Sequence, residues 1–146
     1  MPRSRLPLTV KIMPIPVIMD TNYLTVPAQF GVDVFSEAER VLERRLEFVL
    51  LDSVLEEIKS KLAHASRTEA RIFRVALDLV GRCTIVSVDE TAKTNPVDDQ
   101  LLDYTRSVEG VLATNDRELR EKAKSQGIPV LLLRGKKHLE LEGSRI

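Results

Sequence analysis

Five short apolar runs punctuate this chain, each separated from the next by a stretch of helical periodicity, and that alternation leaves few possible folds. Pro16-Val17-Ile18-Met19 ends at Asp20, and Phe48-Val49-Leu50-Leu51 ends at Asp52. Residues 84–88, 110–114 and 129–133 repeat the pattern as Thr-Ile-Val-Ser-Val, Gly-Val-Leu-Ala-Thr and Pro-Val-Leu-Leu-Leu. Such β-branched or Leu-rich runs, bounded by polar or turn residues, read as buried strands. Between them, residues 36–46, 53–63, 67–81, 96–107 and 116–126 gather apolar side chains on one helical face, as Ile72, Phe73, Ala76, Leu77 and Val80 do. Strands apolar throughout are covered on both faces, and intervening helices supply right-handed crossovers. The expected fold is α/β, a three-layer α/β/α sandwich on a five-stranded, mostly parallel sheet.

A chain of 146 residues suits one domain with a real core. The reading is a single domain over residues 1–146, its core at about 16–134. A basic, proline-containing arm precedes the core over the first eleven residues. After Arg134 a Gly-Lys-Lys-His segment and an acidic stretch form a tail suited to the surface or to oligomer contact. The arm lacks the apolar stretch and cleavage site of a secretory signal. No apolar run approaches the ~18–20 residues of a membrane span. The expectation is a cytoplasmic protein without a membrane partner.

Charge constrains the partners. With 22 basic and 22 acidic side chains the net charge is zero, so a nucleic acid must be held by a local patch. Trp is absent and aromatics make 4% of the chain, too few for a base-stacking platform.

In an open parallel sheet, functional groups collect beyond the carboxyl ends of the strands, where strand order reverses. Asp20 ends the first run and Asp116 follows the fourth, so the two face each other if those strands are neighbours. Either also suits a helix start, where a carboxylate accepts backbone amides and complements the dipole. Asn115 with Glu118 three residues on resembles a capping box, which leaves Asp116 without an obligatory structural task. In Ser53-Val54-Leu55-Glu56 the same motif occupies Glu56 and leaves Glu57, beside the apolar stripe, as the site candidate. The competing reading pairs Glu56 with Lys59 and Glu57 with Lys61 as surface ion pairs. In Thr94-Asn95-Pro96-Val97-Asp98-Asp99, Asn95 suits the cap, Pro96 the first helical position and Asp98 the dipole, and Asp99 has no capping role. Asp98 stays a candidate beside it, and Asp103 a weaker one.

Converging carboxylates repel one another, and burial raises their pKa values unless a cation sits between them. Oxygen-only donors favour a hard ion, Mg²⁺ or Mn²⁺, which can polarise a phosphodiester and lower the pKa of an attacking water. Zinc is not suggested, because Cys83, His64 and His138 lack motif spacing. No Gly-rich phosphate loop, G-x-S-x-G elbow or Cys–His nucleophile pair is present.

Four segments, Val17-Ile18-Met19-Asp20-Thr21-Asn22, Val54-Leu55-Glu56-Glu57-Ile58, Asp98-Asp99-Gln100-Leu101-Leu102 and Ala113-Thr114-Asn115-Asp116-Arg117-Glu118-Leu119, run in the order of a PIN-domain nuclease, which the chain resembles over about residues 16–134. The resemblance implies that Asp20, Glu57, Asp99 and Asp116 bind one or two Mg²⁺ or Mn²⁺ ions. Thr21 or Asn22, with Thr114 and Asn115, would support them. The doubled Glu56-Glu57 and Asp98-Asp99 leave the ligand open by one position. The resemblance also implies endonucleolytic cleavage of RNA, a homodimer and a first strand beside the fourth. Two branches compete, one processing ribosomal RNA precursors and one of VapC-type toxins with an antitoxin partner; the Ala-Thr-Asn-Asp-Arg-Glu-Leu-Arg stretch and the Gly-Ile-Pro-Val that follows lean toward processing.

Arg117 and Arg120 follow Asp116 and are the candidate RNA contacts, whereas Arg67, Arg71 and Arg74 recur along one helix as a solvated face does. The rival readings are a phosphoacceptor-like signalling module and a degenerate PIN domain that binds RNA without cutting it. The first suffers from a third strand ending at Asp89-Glu90 and a fifth without lysine.

Overall fold

The computed structural model describes residues 13–143. The expected N-terminal arm lies outside the described residues. Along the chain run β1 (Ile15–Met19), α1 (Thr21–Leu24), α2 (Val26–Phe30), α3 (Val34–Leu42), β2 (Leu46–Leu51), α4 (Asp52–Ala63) and α5 (Arg67–Leu79). Then come β3 (Thr84–Val86), α6 (Val97–Ser107), β4 (Val111–Ala113), α7 (Arg117–Ser125), β5 (Val130–Arg134) and β6 (His138–Glu142).

The sheet order is β3-β2-β1-β4-β5-β6, parallel except for the final hairpin. Chain order reverses between β1 and β4, whose register pairs Val17 with Val111 and Met19 with Ala113. Val17, Ile18, Met19, Leu112 and Ala113 are fully buried, as strands covered on both faces require. Gly110 enters β4 where a Cβ would stand 2.6 Å from the Pro16 carbonyl oxygen, so this close approach of two backbones needs glycine.

The sheet has six strands, one more than expected, because the tail after Arg134 folds back as β6. Gly135 and Lys136, both at φ 59°, make the turn, and Lys137 N–H donates to the Arg134 carbonyl at 3.2 Å. His-Leu-Glu-Leu-Glu over 138–142 alternates, burying Leu139 against the core. A left-handed turn suits the strand twist of a hairpin.

The segment after β1 also departs from expectation. Residues 21–30 form two short helices, separated at Thr25, with Pro27 in the first turn of the second and Gly31 at φ 69° ending it. The next helix begins at Val34 rather than 36, since Asp33 accepts from the amides of Phe35 and Ser36. It stops at Glu43, φ 51°, which frees Leu46 for β2. β3 is shorter than residues 84–88, because the Val88 amide turns to the Asp52 carboxylate at 3.2 Å.

Candidate active site

The switch point is held together by side chains that follow the strand ends. Asp20 caps α1, its Oδ1 accepting the Thr21 amide at 2.8 Å, while its own amide donates to the Ala113 carbonyl at 2.9 Å and locks β1 to β4. The Thr114 hydroxyl, fully buried, donates to Asp20 Oδ2 at 2.7 Å and accepts the Asp116 amide at 3.0 Å. Asn22 spans the same junction: Nδ2 donates to Asp20 Oδ2 at 3.2 Å and Oδ1 accepts the Asn115 amide at 2.9 Å. Across from them Thr21 donates its hydroxyl in a short bond to Glu57 on α4. Sequence positions 20, 57 and 114 thus meet through neutral hydroxyl donors.

Asp20, Glu57, Asp98 and Asp116 line one pocket of about 320 Å³. Glu56 is exposed and lines a separate cavity beside Asp52 and Ser53, and Asp99 and Asp103 are exposed outside the acidic pocket. The Asp98–Asp99 pair therefore presents Asp98 to the pocket. Burial raises the Asp20 pKa, opposed by the hydrogen bonds from Thr114 and Thr21 and reinforced by the charges of Glu57 and Asp98. The Asp98 carboxyl is raised by burial and then by Asp116, with Lys122 opposing. Among the described residues, no three His, Cys, Asp or Glu side chains already stand at the spacing of a chelating group.

Three capping assignments change. Asp116, not Asn115, caps α7, its Oδ1 accepting the Leu119 amide at 3.0 Å. Asn115 instead accepts the Leu133 amide at 2.8 Å and ties the loop to β5. Helix α4 starts at Asp52 immediately after the strand, so Ser53 lies inside it and makes no capping box with Glu56. Helix α6 starts at Val97, and Asn95 serves through its carbonyl, which accepts from Gln100 Nε2 at 2.9 Å.

Arg117 pairs with Glu121 at 3.5 Å and Arg120 with Glu142 at 3.8 Å, and both line a smaller pocket distinct from the acidic one. Arg67, Arg71 and Arg74 are exposed. Cys83 is half-buried, its thiol pushed up to about 11 by burial, as befits a small hydrophobe. The acidic pocket also takes in Gln29, Lys61, Ile72 and Phe73, which sequence reasoning left out. Lys61 had a signal: it stands four residues after Glu57, on the same helical face.

A doubly wound parallel sheet with acidic side chains gathered where β1 and β4 diverge defines a domain of the PIN type. Residues 17–136 match a family model described as "PIN like domain". Ribonuclease VapC4 of Methanocaldococcus jannaschii is 34% identical over 128 residues, covering 87% of this chain and 96% of that protein. The chain belongs to the PIN-like domain family. Among solved structures, the PIN domain endonuclease Utp24 superposes with a TM-score of 0.74 at 22% identity, over 90% of this chain and 93% of that one. VapBC2 from Rickettsia felis, bound to a DNA fragment from the promoter, superposes at 0.53 and 11% identity, over 82% and 100%. Both share the fold.

Proposed function

We propose that this chain is an endoribonuclease that hydrolyses RNA phosphodiester bonds at the pocket of Asp20, Glu57, Asp98 and Asp116, with Mg²⁺ or Mn²⁺ as cofactor. The observation that carries the reading is that carboxylates from four separate segments line one pocket at the switch point. A ribonuclease of the VapC type, 34% identical over nearly its whole length, supports it, and the reading takes in both the VapC-type and the RNA-processing branch. In this reading the protein works in the cytoplasm as a homodimer, with RNA as substrate and an antitoxin or an RNA-processing assembly as partner.

The donor set fits a hard divalent ion. All four groups are carboxylates, two of them with pKa values raised by burial and by one another, and such repulsion is what a cation relieves. Mg²⁺ keeps several waters and takes only one or two carboxylates directly, so it does not require all four groups to touch it. When bound, the ion would polarise the phosphodiester and acidify a water. The chain's own contribution is positional. Asp20 is held by the Thr21 amide and the Thr114 hydroxyl, and Glu57 by the Thr21 hydroxyl. Asp98 makes no hydrogen bond among the described residues, so its carboxylate is free to turn toward the ion or one of its waters.

Labelled single-stranded RNA incubated with the protein and Mn²⁺ should be cut, and a chelator should stop the reaction. Asp20→Asn and Asp116→Asn should each lower kcat/KM by about 100-fold or more. Cleavage that both variants leave intact would end the proposal.

A further inference from the structure

The acidic pocket does not stop at its carboxylates. Its far wall is built by α2, α4 and α5, which contribute Gln29, Lys61, Ile72 and Phe73. Lys61 forms no ion pair among the described residues, although Glu57 lies one turn before it. Glu57 is engaged by Thr21 instead. Glu69 on α5, which lines the same pocket, gives its Oε1 to the capping box with Ser66. Lys61, an exposed side chain, thus reaches a pocket lined by Asp20, Glu57, Glu69, Asp98 and Asp116 without being bound to any one of them. Beside it, Phe73 is the one aromatic side chain in the pocket lining, only partly buried, with Ile72 next to it. Gln29 accepts the Thr25 hydroxyl through Oε1 at 3.4 Å, and its amide N–H groups make no bond among the described residues.

An aromatic face, a free ammonium and free amide donors beside a phosphodiester site are the groups that bind one nucleotide. We propose that this wall is a nucleotide subsite next to the scissile phosphate: an unpaired base stacks on Phe73, Gln29 donates to its edge, and Lys61 meets its phosphate. The inference rests on the ribonuclease reading and sharpens it to single-stranded RNA, because a base held in a helix has no free face to offer. The cavity, about 320 Å³ including the acidic end, holds one such unit rather than a run of them. A single ring suffices where the aromatic-poor composition denies the chain a platform.

The test uses the full chain carrying Asp116→Asn, so that RNA is bound without being consumed, and a short single-stranded RNA with one 2-aminopurine. Fluorescence quenching on binding reports stacking. Phe73→Ala should abolish the quenching and weaken binding by about 5- to 150-fold, and Phe73→Tyr should preserve both. Lys61→Gln should reduce the slope of log affinity against log salt by about 0.7, the increment for one phosphate on a single strand. Should Phe73→Ala fail to fold, Phe73→Leu, which keeps the volume and loses the ring, and the Lys61→Gln slope carry the same decision. Equal quenching in Phe73→Ala or Phe73→Leu and the parent, or an unchanged slope in Lys61→Gln, overturns the subsite. In the unsubstituted chain the two ideas separate: metal-dependent cleavage indifferent to Phe73 keeps the nuclease and removes the subsite. Phe73-dependent quenching without cleavage does the reverse.

Discussion

Replacing Thr114 with valine removes one hydroxyl, keeps the shape, and unties the junction on which the site is built. That hydroxyl is fully buried and serves two partners, donating to Asp20 Oδ2 at 2.7 Å and accepting the Asp116 amide at 3.0 Å. Loss of a hydrogen bond to a buried carboxylate costs about 1.5–3 kcal/mol, and a stranded amide close to solvent about 1 kcal/mol; with Asn22 still on the same oxygen, the total is about 2–4 kcal/mol. The cost depends on pH, and its sign follows from linkage. The hydroxyl favours the ionised form of Asp20, whose pKa burial has already raised, so the variant's pKa is higher again. Below both values Asp20 is protonated in either protein and the charged part of the penalty vanishes; above both it is present in full. The stability difference should therefore widen as pH rises from the ordinary carboxyl range through the raised Asp20 value. Urea unfolding in the presence of chelator, at constant m-value, measures it. A difference that stays flat across that range, or below about 0.5 kcal/mol throughout, would refute the reasoning.

Other outcomes follow from the same geometry. Without metal, the protein should lose stability as pH climbs through the raised pKa values of Asp20 and Asp98, because the folded carboxyls retain protons that the unfolded chain has released. Mn²⁺ at neutral pH should raise Tm, and Asp98→Asn, at a carboxyl that makes no hydrogen bond among the described residues, should hold or raise the metal-free Tm while reducing that increment; thermal scans in which wild type gains nothing from the ion speak against the pocket as its site. Glu57→Gln and Asp98→Asn should slow RNA cleavage by about 10-fold or more, while Glu56→Gln and Asp99→Asn stay near wild type, as initial rates will tell. Gly110→Ala would press a methyl to 2.6 Å from the Pro16 carbonyl oxygen and 2.8 Å from Ile18 Cδ1, costing about 1–3 kcal/mol in chemical denaturation. An unchanged midpoint would mean that β1 and β4 can part at no cost.

The sequence made some of this legible and hid the rest for physical reasons. Near-continuous apolar strands such as Val17-Ile18-Met19 report burial on both faces without ambiguity, so the parallel sheet could be read directly. β6 escaped because its alternation is carried by two leucines among charged residues, on an edge that needs only one buried face. The short helices over residues 21–30 are too brief for a 3.6-residue period to emerge, and Pro27 reads as a breaker although it sits in a first turn. For the five longer helices the sequence located each start to within two residues, but a shift of one residue moves a side chain by about 100° around the axis. The Asn115 and Ser53 assignments failed in this way. What no spacing rule could supply is the hydroxyl scaffold. Thr21 and Thr114 are separated by most of the chain, and both come to hold Asp20 only because β1 and β4 are adjacent in register.

That scaffold divides the carboxylates by rigidity. Both oxygens of Asp20 are occupied, Oδ1 by the Thr21 amide and Oδ2 by Thr114 and Asn22. One oxygen each of Glu57 and Asp116 is fixed, by the Thr21 hydroxyl and the Leu119 amide. Asp98, in the first turn of α6, has neither oxygen bonded among the described residues. A fixed carboxylate presents its remaining lone pairs at a constant place, and an unfixed one turns to meet whatever charge arrives. The pocket thus combines three carboxylates held by the strand ends and helix starts with one, Asp98, that is not held. The fixed group is tied to the register of the sheet: the Asp20 amide donates to the Ala113 carbonyl, and any slip of β1 against β4 would break that bond and the Thr114 bond in the same motion.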